Sequence, residues 1–323
     1  MKGLSKDSVT WHEVDAESAG QRVDNYLTKR LKGVPKSHIY RILRNGEVRI
    51  NSGRVGPDYR VQAGDRLRLP PLRIAKPAAV PRQPSASRLK AEVIYEDDIL
   101  LVINKPAGVA VHGGSGISRG VVEQLRLERP EGRFLELVHR LDRDTSGVLL
   151  LAKRRSGLLA LHRQLREGAV QKLYVVLVKG RWRDGQRSVK LPLHKYVLPS
   201  GERRVAVKSE GLSAHTVFRL QRNWDGYCLL EAELKTGRTH QIRVHLAHVG
   251  FPVAGDDKYG DFALNKELAR QGLKRMFLHA RKVVITHPQS GTTLKLEAPM
   301  PPELQAFLAN LALRGGKPDL GPE

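Results

Sequence analysis

The chain has 323 residues, of which 56 are lysine or arginine and 33 aspartate or glutamate, so its formal charge is +23. This excess predicts a polyanionic partner, because basic side chains bind phosphates and release the counterions around them. Apolar residues make up 40% of the chain, which excludes wholesale disorder, and no apolar run approaches the roughly 20 residues of a membrane helix. The length accommodates two domains, and the single cysteine, Cys228, excludes an internal disulfide.

Residues 1–19 are expected to form a leader with one possible strand, VTWHEV. The segment lacks the hydrophobic core of a secretory signal, so we expect a cytoplasmic protein. An anionic membrane is the competing partner for so basic a chain, but we find no clear basic amphipathic helix with bulky apolar anchors. Aromatic residues make up only 5% of the chain, so Arg and Lys, rather than a broad stacking surface, are expected to contact nucleic acid.

Residues 20–70 predict a small domain of two helices followed by short strands. Apolar side chains recur at helical spacing on two successive segments, with Val23, Tyr26, Leu27 and Leu31 on the first and Ile39, Ile42 and Leu43 on the second. Asn45 and Gly46 are typical of a helix end and predict the turn into the strands.

The same domain is strongly basic. Between residues 21 and 60 three acidic residues face ten basic ones, which are Arg22, Lys29, Arg30, Lys32, Lys36, Arg41, Arg44, Arg49, Arg54 and Arg60. A solvated helix face is one explanation, but the imbalance favours a surface that faces RNA. We take Arg22, Lys36, Arg41 and Arg44 as the candidate RNA-binding residues.

Residues 20–70 also resemble the S4 RNA-binding domain. The similarity is carried by a GxRxDxxL opening, a helix with a serine, an arginine and a leucine, and a glycine turn into a strand; its residues are Gly20, Arg22, Asp24, Leu27, Ser37, Arg41, Leu43, Gly46, Val48, Ile50 and Asn51. The resemblance implies a small fold that docks on structured RNA.

Residues 71–90 are rich in proline, small residues and cations, which predicts a basic linker and the domain boundary. From 91 to 313, many strand-like segments separated by Gly, Pro, Asn and Asp turns, with few helices, predict an α+β domain around a large, mainly antiparallel mixed sheet. A glycine-rich loop at 113–116 fits a plain turn or a loop beside a ligand. Residues 314–323 are expected to form a disordered tail.

The segment VHRLDRDTSG, residues 138–147, is the densest polar cluster before an apolar run. His139 and two arginines surround the carboxylates Asp142 and Asp144, which strand alternation would place on one face. Such a cluster can hold a carboxylate ionised and aimed as a nucleophile or general base. It can equally be a salt-bridged turn before a core strand. The residues alone choose neither between these interpretations nor between the two aspartates.

A second charged cluster, KTGRTHQIRVHLAHV, occupies residues 235–249 and predicts a helix that begins after Gly237. Its arginines can pair with a carboxylate or bind phosphate. His245 and His248 stand three residues apart, a spacing that metal ligands also use. No HExxH motif or acidic third ligand accompanies them, so packed or RNA-facing histidines are expected and no metal site is predicted.

Four segments together resemble the RluA-type pseudouridine synthase family, and the likeness extends over nearly the whole chain. They are INKPAGVAVH at 103–112, HRLDRDTSG at 139–147, QKLYVVLV at 171–178 and TGRTHQIRVHLAHVG at 236–250. The family implies that Asp142 is the catalytic aspartate, that Tyr174 stacks on the target base and that Arg243 pairs with the aspartate. It leaves Asp144 as local support.

The resemblance also implies a substrate and a way of working. The expected function is isomerisation of specific uridines to pseudouridine in large-subunit (23S) ribosomal RNA or the assembling subunit, by a monomer without a cofactor. We add the hypothesis that Arg140 fills the gap left by the flipped base or holds a flanking phosphate. Two other classes stay open: a non-catalytic RNA-binding or ribosome-assembly protein, and a metal-dependent phosphoryl-transfer enzyme or nuclease.

Overall fold

A computed structural model describes residues 8–31, 33–72, 89, 91–113, 119–129 and 134–314. Lys32, most of the predicted linker, the glycine-rich loop beyond Gly113 and the tail from residue 315 lie outside these ranges. The chain divides into two compact units, Met1–Ser87 and Arg88–Glu323. Within the described ranges, no helix combines the length and the apolar character needed to span a bilayer.

The first unit packs two helices on a four-stranded antiparallel sheet. Its elements are β1 (Thr10–Glu13), α1 (Val23–Arg30), α2 (Lys36–Arg44), β2 (Arg49–Ile50), β3 (Gly53–Arg54) and β4 (Arg66–Leu69), with the strand order β1-β4-β2-β3. The apolar stripes predicted on both helices are buried in one core with the sheet. Strand β1 pairs along its length with β4, so residues 10–13, which the sequence assigns to a leader, form an edge strand of this unit.

The second unit contains a ten-stranded sheet, a separate two-stranded hairpin and five described helices. The strands are β5 (Glu92–Glu96), β6 (Leu100–Lys105), β7 (Glu136–Leu137), β8 (Ser146–Ala152), β9 (Gln171–Lys179), β10 (Gln186–Lys190), β11 (Leu193–Val197), β12 (Arg203–Val207), β13 (His215–Trp224), β14 (Tyr227–Leu234), β15 (Leu278–Thr286) and β16 (Thr293–Glu297). The helices are α3 (Val121–Glu128), α4 (Arg155–Arg166), α5 (Gln241–His248), α6 (Phe262–Arg270) and α7 (Pro302–Arg314).

The strand order of the large sheet is β10-β13-β14-β9-β15-β8-β6-β5, with β16 paired to β15 and β7 to β8. The β8–β15 pair is parallel, and the remaining pairs between described strands of this sheet are antiparallel. Strands β11 and β12 form the separate hairpin. The α+β class and the mainly antiparallel mixed sheet are therefore as predicted.

The large sheet is covered on both faces, which explains the unbroken apolar run of β8. Leu149 and Leu151 pack in one hydrophobic cluster, whereas Val148 and Leu150 pack in another on the opposite face. On β9, Tyr174 belongs to the first cluster, together with apolar residues of α3 and α5. The sheet therefore presents Tyr174 on the face that carries α5.

Gly147 sets the entry of the chain into β8. Its φ angle is +114°, and a Cβ atom at this position would lie 2.2 Å from the carbonyl oxygen of Ala280 on β15. Ser146 and Gly147 are also the residues through which β8 pairs with β15. A side chain here would separate the two strands directly after the Asp142 loop.

We expect Gly147→Ala to destabilise the second unit by at least about 3 kcal/mol, because backbone strain adds to a clash with main-chain atoms. Gly272→Ala is the matched control, since Gly272 has a similar φ of +103° but a Cβ atom there would meet no other atom within 4 Å. The control should lose about 1–2 kcal/mol. Urea unfolding followed by circular dichroism measures both, and equal losses would contradict the strand-contact explanation.

Candidate active site

Two segments about one hundred residues apart meet at Asp142. This residue lies in the turn between β7 and β8, where the Thr145 N–H donates to the Asp142 carbonyl oxygen at 3.2 Å. Its carboxylate is mostly buried, with 17% of the side chain exposed. Nη1 of Arg243, on α5, donates to Asp142 Oδ2 at 3.2 Å. The two segments that the sequence marks as charged clusters thus form one ion pair.

Arg243 is fixed by a second carboxylate that the sequence does not single out. Its Nε and Nη2 donate to the two oxygens of Asp256, each at 2.7 Å. Asp256 is fully buried and also accepts the backbone N–H groups of Lys258 and Tyr259. This bidentate pair uses one edge of the planar guanidinium and leaves Nη1 for Asp142.

The charge state of this pair follows from its contacts. Burial alone raises the pKa of Asp256, but the hydrogen bonds and charge of Arg243, with the two backbone donors, hold it below the usual value. Burial lowers the pKa of Arg243, and the contacts with Asp256 and Asp142 more than offset this, so its pKa is raised. Arg243 and Asp256 are therefore both ionised near neutral pH.

Tyr174 lines the same cavity as Asp142 and Arg243. Only 7% of the residue is exposed, and burial, followed by the charge of Asp142, raises the pKa of its phenol. The side chain is thus neutral and presents a preformed aromatic wall. The structure thus brings Asp142, Tyr174 and Arg243, the three residues that the family resemblance singles out, into one cavity.

The cavity has a volume of about 710 Å³ and a strongly positive lining. The lining cations are Arg140, Arg166, Lys172, Lys235, Arg238 and Arg243, whereas Asp142 is the sole carboxylate among the described lining residues. Arg140 is exposed and lies on this wall, within reach of a polyanion that enters the cavity. Such a cleft fits a phosphate-bearing substrate with one buried reacting group.

The expectation from strand alternation for the two aspartates is wrong. Residues 141–145 form a turn, and β8 begins at Ser146, so alternation does not apply to Asp142 and Asp144. Asp144 pairs with the neighbouring Arg143 at 3.2 Å and does not line the cavity. The structure therefore separates the two carboxylates: one faces the cavity and the other supports the turn.

A buried lysine supports the turn from below. The Lys105 ammonium is inaccessible to solvent and donates to the carbonyl oxygens of Pro106, Val109 and Arg143, at 2.7, 2.8 and 3.0 Å. Desolvation lowers its pKa to about 7, although Asp144 and Asp142 oppose that shift. The contact fixes the backbone directly after Asp142.

Of the two histidines of α5, His245 is a packing residue, whereas His248 is exposed. His245 is fully buried, lies 3.0 Å from the Thr216 hydroxyl through Nδ1 and 3.0 Å from the Leu191 carbonyl oxygen through Nε2. Across the ranges that the structure describes, no group of three or more His, Cys, Asp or Glu side chains is arranged to hold a metal. Cys228 is buried and unpaired, and burial raises its pKa to about 12.

In the first unit, the four candidate RNA-binding residues Arg22, Lys36, Arg41 and Arg44 are all exposed. Arg22 is partly committed to structure, because it forms an ion pair of 2.9 Å with the buried Asp24. Arg44 lines a groove together with Arg54 and the half-exposed Tyr40.

Several site residues escaped sequence analysis. Asp256 and Tyr259 belong to GDDKYG, which is typical of a turn-rich loop, and His240 and Lys172 lie inside recognised segments without an assigned role. The available signal was the pair of adjacent carboxylates, Asp256 and Asp257, directly after Gly255. Its partner Arg243 stands 13 residues earlier on a helix, and no local periodicity relates the two positions.

Comparisons with known proteins identify the family and the fold. Residues 99–248 match the model of the RNA pseudouridylate synthases, and residues 21–67 match the S4 domain. The human RNA pseudouridylate synthase domain-containing proteins 1 and 4 share the fold, with TM-scores of 0.58 and 0.56 over 75% and 72% of this chain and 94% and 95% of theirs, at 23% identity.

Two curated relatives are much closer in sequence, and both are named ribosomal large subunit pseudouridine synthase C. The protein of Escherichia coli (strain K12) is 52% identical over 92% of this chain and 95% of its own length. The protein of Pasteurella multocida (strain Pm70) is 51% identical over 92% of each chain. On this evidence the chain belongs to the RNA pseudouridylate synthase family and carries an S4 domain.

Proposed function

We propose that the protein converts uridines to pseudouridine in RNA of the large ribosomal subunit, with Asp142 as the reacting carboxylate. The observation that carries this proposal is the buried array in which Arg243 joins Asp142 to Asp256, beside Tyr174 in a basic cavity. The large-subunit (23S) ribosomal RNA is inferred from the names of the relatives that match over nearly the whole chain.

The reaction needs what this cavity offers. The N1–C1′ bond breaks, the uracil turns, and a C5–C1′ bond forms, with loss of the C5 proton and gain of a proton at N1. The carboxylate can attack C6, attack C1′ or remove a proton from C2′, and each route requires an ionised carboxylate with an available lone pair. Oδ2 of Asp142 is bound by Arg243, whereas no donor lies within hydrogen-bond distance of Oδ1 in the described part of the chain.

The uracil must leave its stack in the RNA before it reaches Asp142, which costs a few kcal/mol. Stacking on an aromatic side chain recovers about 1–3 kcal/mol per base, and we assign this role to Tyr174. Arg140, exposed on the cavity wall, is assigned to the gap left in the RNA or to a flanking phosphate.

The first unit would supply affinity for structured RNA. We propose residues 20–70, extended by β1, as the docking domain, 71–90 as the linker and 91–313 as the catalytic domain. The docking surface would include Arg22, Lys36, Arg41 and Arg44. One chain provides every residue of the proposed site, so we infer a monomer. The ribosomal RNA substrate inferred from the relatives supports action in the cytoplasm.

Asp142→Asn should abolish pseudouridine formation, because the amide keeps the shape but loses the negative charge that reacts. Tritium release from C5-labelled 23S ribosomal RNA that lacks pseudouridine measures turnover, and filter binding measures affinity, which should change little. Asp144→Asn is the matched control and should keep most of the activity. Substantial turnover by Asp142→Asn would refute the proposal and favour a scaffold or another chemistry.

Arg140→Ala should weaken RNA binding or slow single turnover, since the variant loses a cation exposed on the cavity wall. If phosphate contact dominates, the slope of log affinity against log salt should fall by about 1. If gap filling dominates, the single-turnover rate constant should fall instead. Unchanged affinity and unchanged turnover together would remove Arg140 from the site.

Removal of residues 1–90 should weaken binding to large RNA more than it disturbs the fold of the second unit. The isolated 91–323 segment should keep a cooperative unfolding transition by circular dichroism and sediment as a monomer, like the full chain. A full-length variant with Arg41→Glu and Arg44→Glu should reproduce the loss of affinity without truncation. Misfolding of the 91–323 segment would contradict the domain division.

A further inference from the structure

His240 has an unusual backbone beside the reacting carboxylate. It precedes α5 with φ +53° and ψ +21°, the left-handed region, and is the only non-glycine residue with positive φ in the described part of the second unit. A residue other than glycine adopts this conformation at a cost in free energy, so the surrounding contacts must hold it there. The His240 carbonyl oxygen accepts the Val244 N–H at 2.9 Å, and the imidazole ring contacts Tyr259.

Tyr259 contacts this ring at Nδ1. The Tyr259 hydroxyl oxygen accepts the Val205 N–H at 2.9 Å and lies 2.8 Å from His240 Nδ1. Because the oxygen already accepts one N–H, we assign the hydroxyl hydrogen to the contact with Nδ1. A neutral imidazole that accepts at Nδ1 carries its proton at Nε2. This assignment gives Nε2 an N–H.

That N–H faces the oxygen of Asp142 that Arg243 leaves free. Nε2 of His240 lies 3.9 Å from Asp142 Oδ1, whereas Arg243 binds Oδ2. The separation is longer than a hydrogen bond, and contacts of this kind commonly shorten when substrate binds. The side chains of His240 and Asp142 are both largely buried, with 15% and 17% exposed, so the space between them is confined.

We propose that His240 is a positioning residue of the reaction, whose Nε2–H hydrogen-bonds Asp142 Oδ1 in the RNA complex and fixes which lone pair faces the target nucleotide. This inference rests on the proposed function of Asp142. Arg243 and His240 then hold one oxygen each, so the carboxylate cannot rotate about its χ2 bond. Tyr259 acts one step further out, by keeping the imidazole in the donating tautomer.

The charges around His240 favour its neutral form. Burial lowers its pKa, Asp142 and Asp256 oppose that shift, and Arg243 and Lys258 add to it, so the pKa lies below the usual value. Burial raises the pKa of Tyr259 to about 12, which keeps its hydroxyl a donor across the working range. A neutral His240 donates one weak hydrogen bond and leaves the charge of Asp142 paired with Arg243 alone. A charged imidazolium would form a second ion pair with Asp142 and make its oxygen less reactive.

Two variants separate positioning from simple structural support. His240→Gly suits the left-handed backbone and removes the ring, and we expect its single-turnover rate constant on 23S ribosomal RNA to fall about 10- to 100-fold with unchanged affinity. His240→Gln restores an N–H donor near the position of Nε2 and should recover part of that loss. Wild-type turnover in His240→Gly, or no recovery in His240→Gln, would overturn the proposal.

The pH profile of Tyr259→Phe supplies a readout that a structural role would not move. Without the hydroxyl, Nδ1 is free to take a proton, so the pKa of His240 rises. The imidazolium then forms as the pH falls through this higher pKa, and the acidic limb of the single-turnover rate should move to higher pH than in the wild type. A rate lowered by the same factor at every pH would contradict the assigned tautomer.

The reference variant is Asp142→Asn, measured on the same RNA. If Asp142→Asn is inactive and His240→Gly is fully active, the positioning role fails and the proposed function stands. If Asp142→Asn retains turnover, the proposed function itself fails. Thermal unfolding of each variant establishes that the lost turnover belongs to a folded protein.

Discussion

The site depends on the guanidinium of Arg243, which contacts both Asp256 and Asp142. It is 3% exposed, and a buried charge is tolerated only when its partners compensate for lost solvation. Asp256 provides that compensation with two oxygens, and is itself satisfied by two backbone N–H groups of its own loop. The contacts with Asp256 therefore fix the position of Arg243 without any contribution from Asp142. The Nη1–H group of Arg243 is thus already directed toward Asp142.

The sheet brings the other two parts of the site to that donor. Strand β15 lies between β8 and β9, so the turn before β8 and the side chain of Tyr174 are separated by one strand. The close approach at Gly147 and the three carbonyl contacts of Lys105 fix the turn on that face. Rigid elements on three sides explain how a short polar turn can aim a carboxylate.

The fold class and the pairing of Asp142 with Arg243 could be predicted from the sequence. The contacts that hold Arg243 and His240 in place could not. Helical stripes such as Ile39, Ile42 and Leu43 follow a local period, and hence the helices of the first unit were predictable. The choice of Asp142 over Asp144 required family resemblance, since charge density treats both alike. Asp256 and Tyr259 depend on contacts between separate loops and α5, for which no spacing rule exists.

The geometry of these contacts also explains the errors. Strand alternation failed at Asp142 because the chain turns there and enters β8 only at Ser146. The first strand was assigned to a leader because its partner, β4, follows more than fifty residues later. The local pattern was interpreted correctly in both cases, as polar at Asp142 and as extended in β1. The place where β8 begins and the pairing of β1 with β4 depend on tertiary contacts that the local pattern does not contain.

The positive excess of the cavity determines how RNA and Asp142 can coexist there. Opposite charges 4 Å apart attract by about 4 kcal/mol at an effective dielectric near 20, whereas charges 10 Å apart interact by about 2 kcal/mol before screening by salt. The direct contact of Arg243 with Asp142 therefore outweighs the repulsion that a phosphate about 10 Å away would exert on Asp142. Lys172 is buried and pairs with no carboxylate in the described ranges, and burial lowers its pKa. A bound polyanion would stabilise the charged form of Lys172 without disturbing the Asp142–Arg243 pair, so the proposed binding and the proposed chemistry would use different cations of the same cavity.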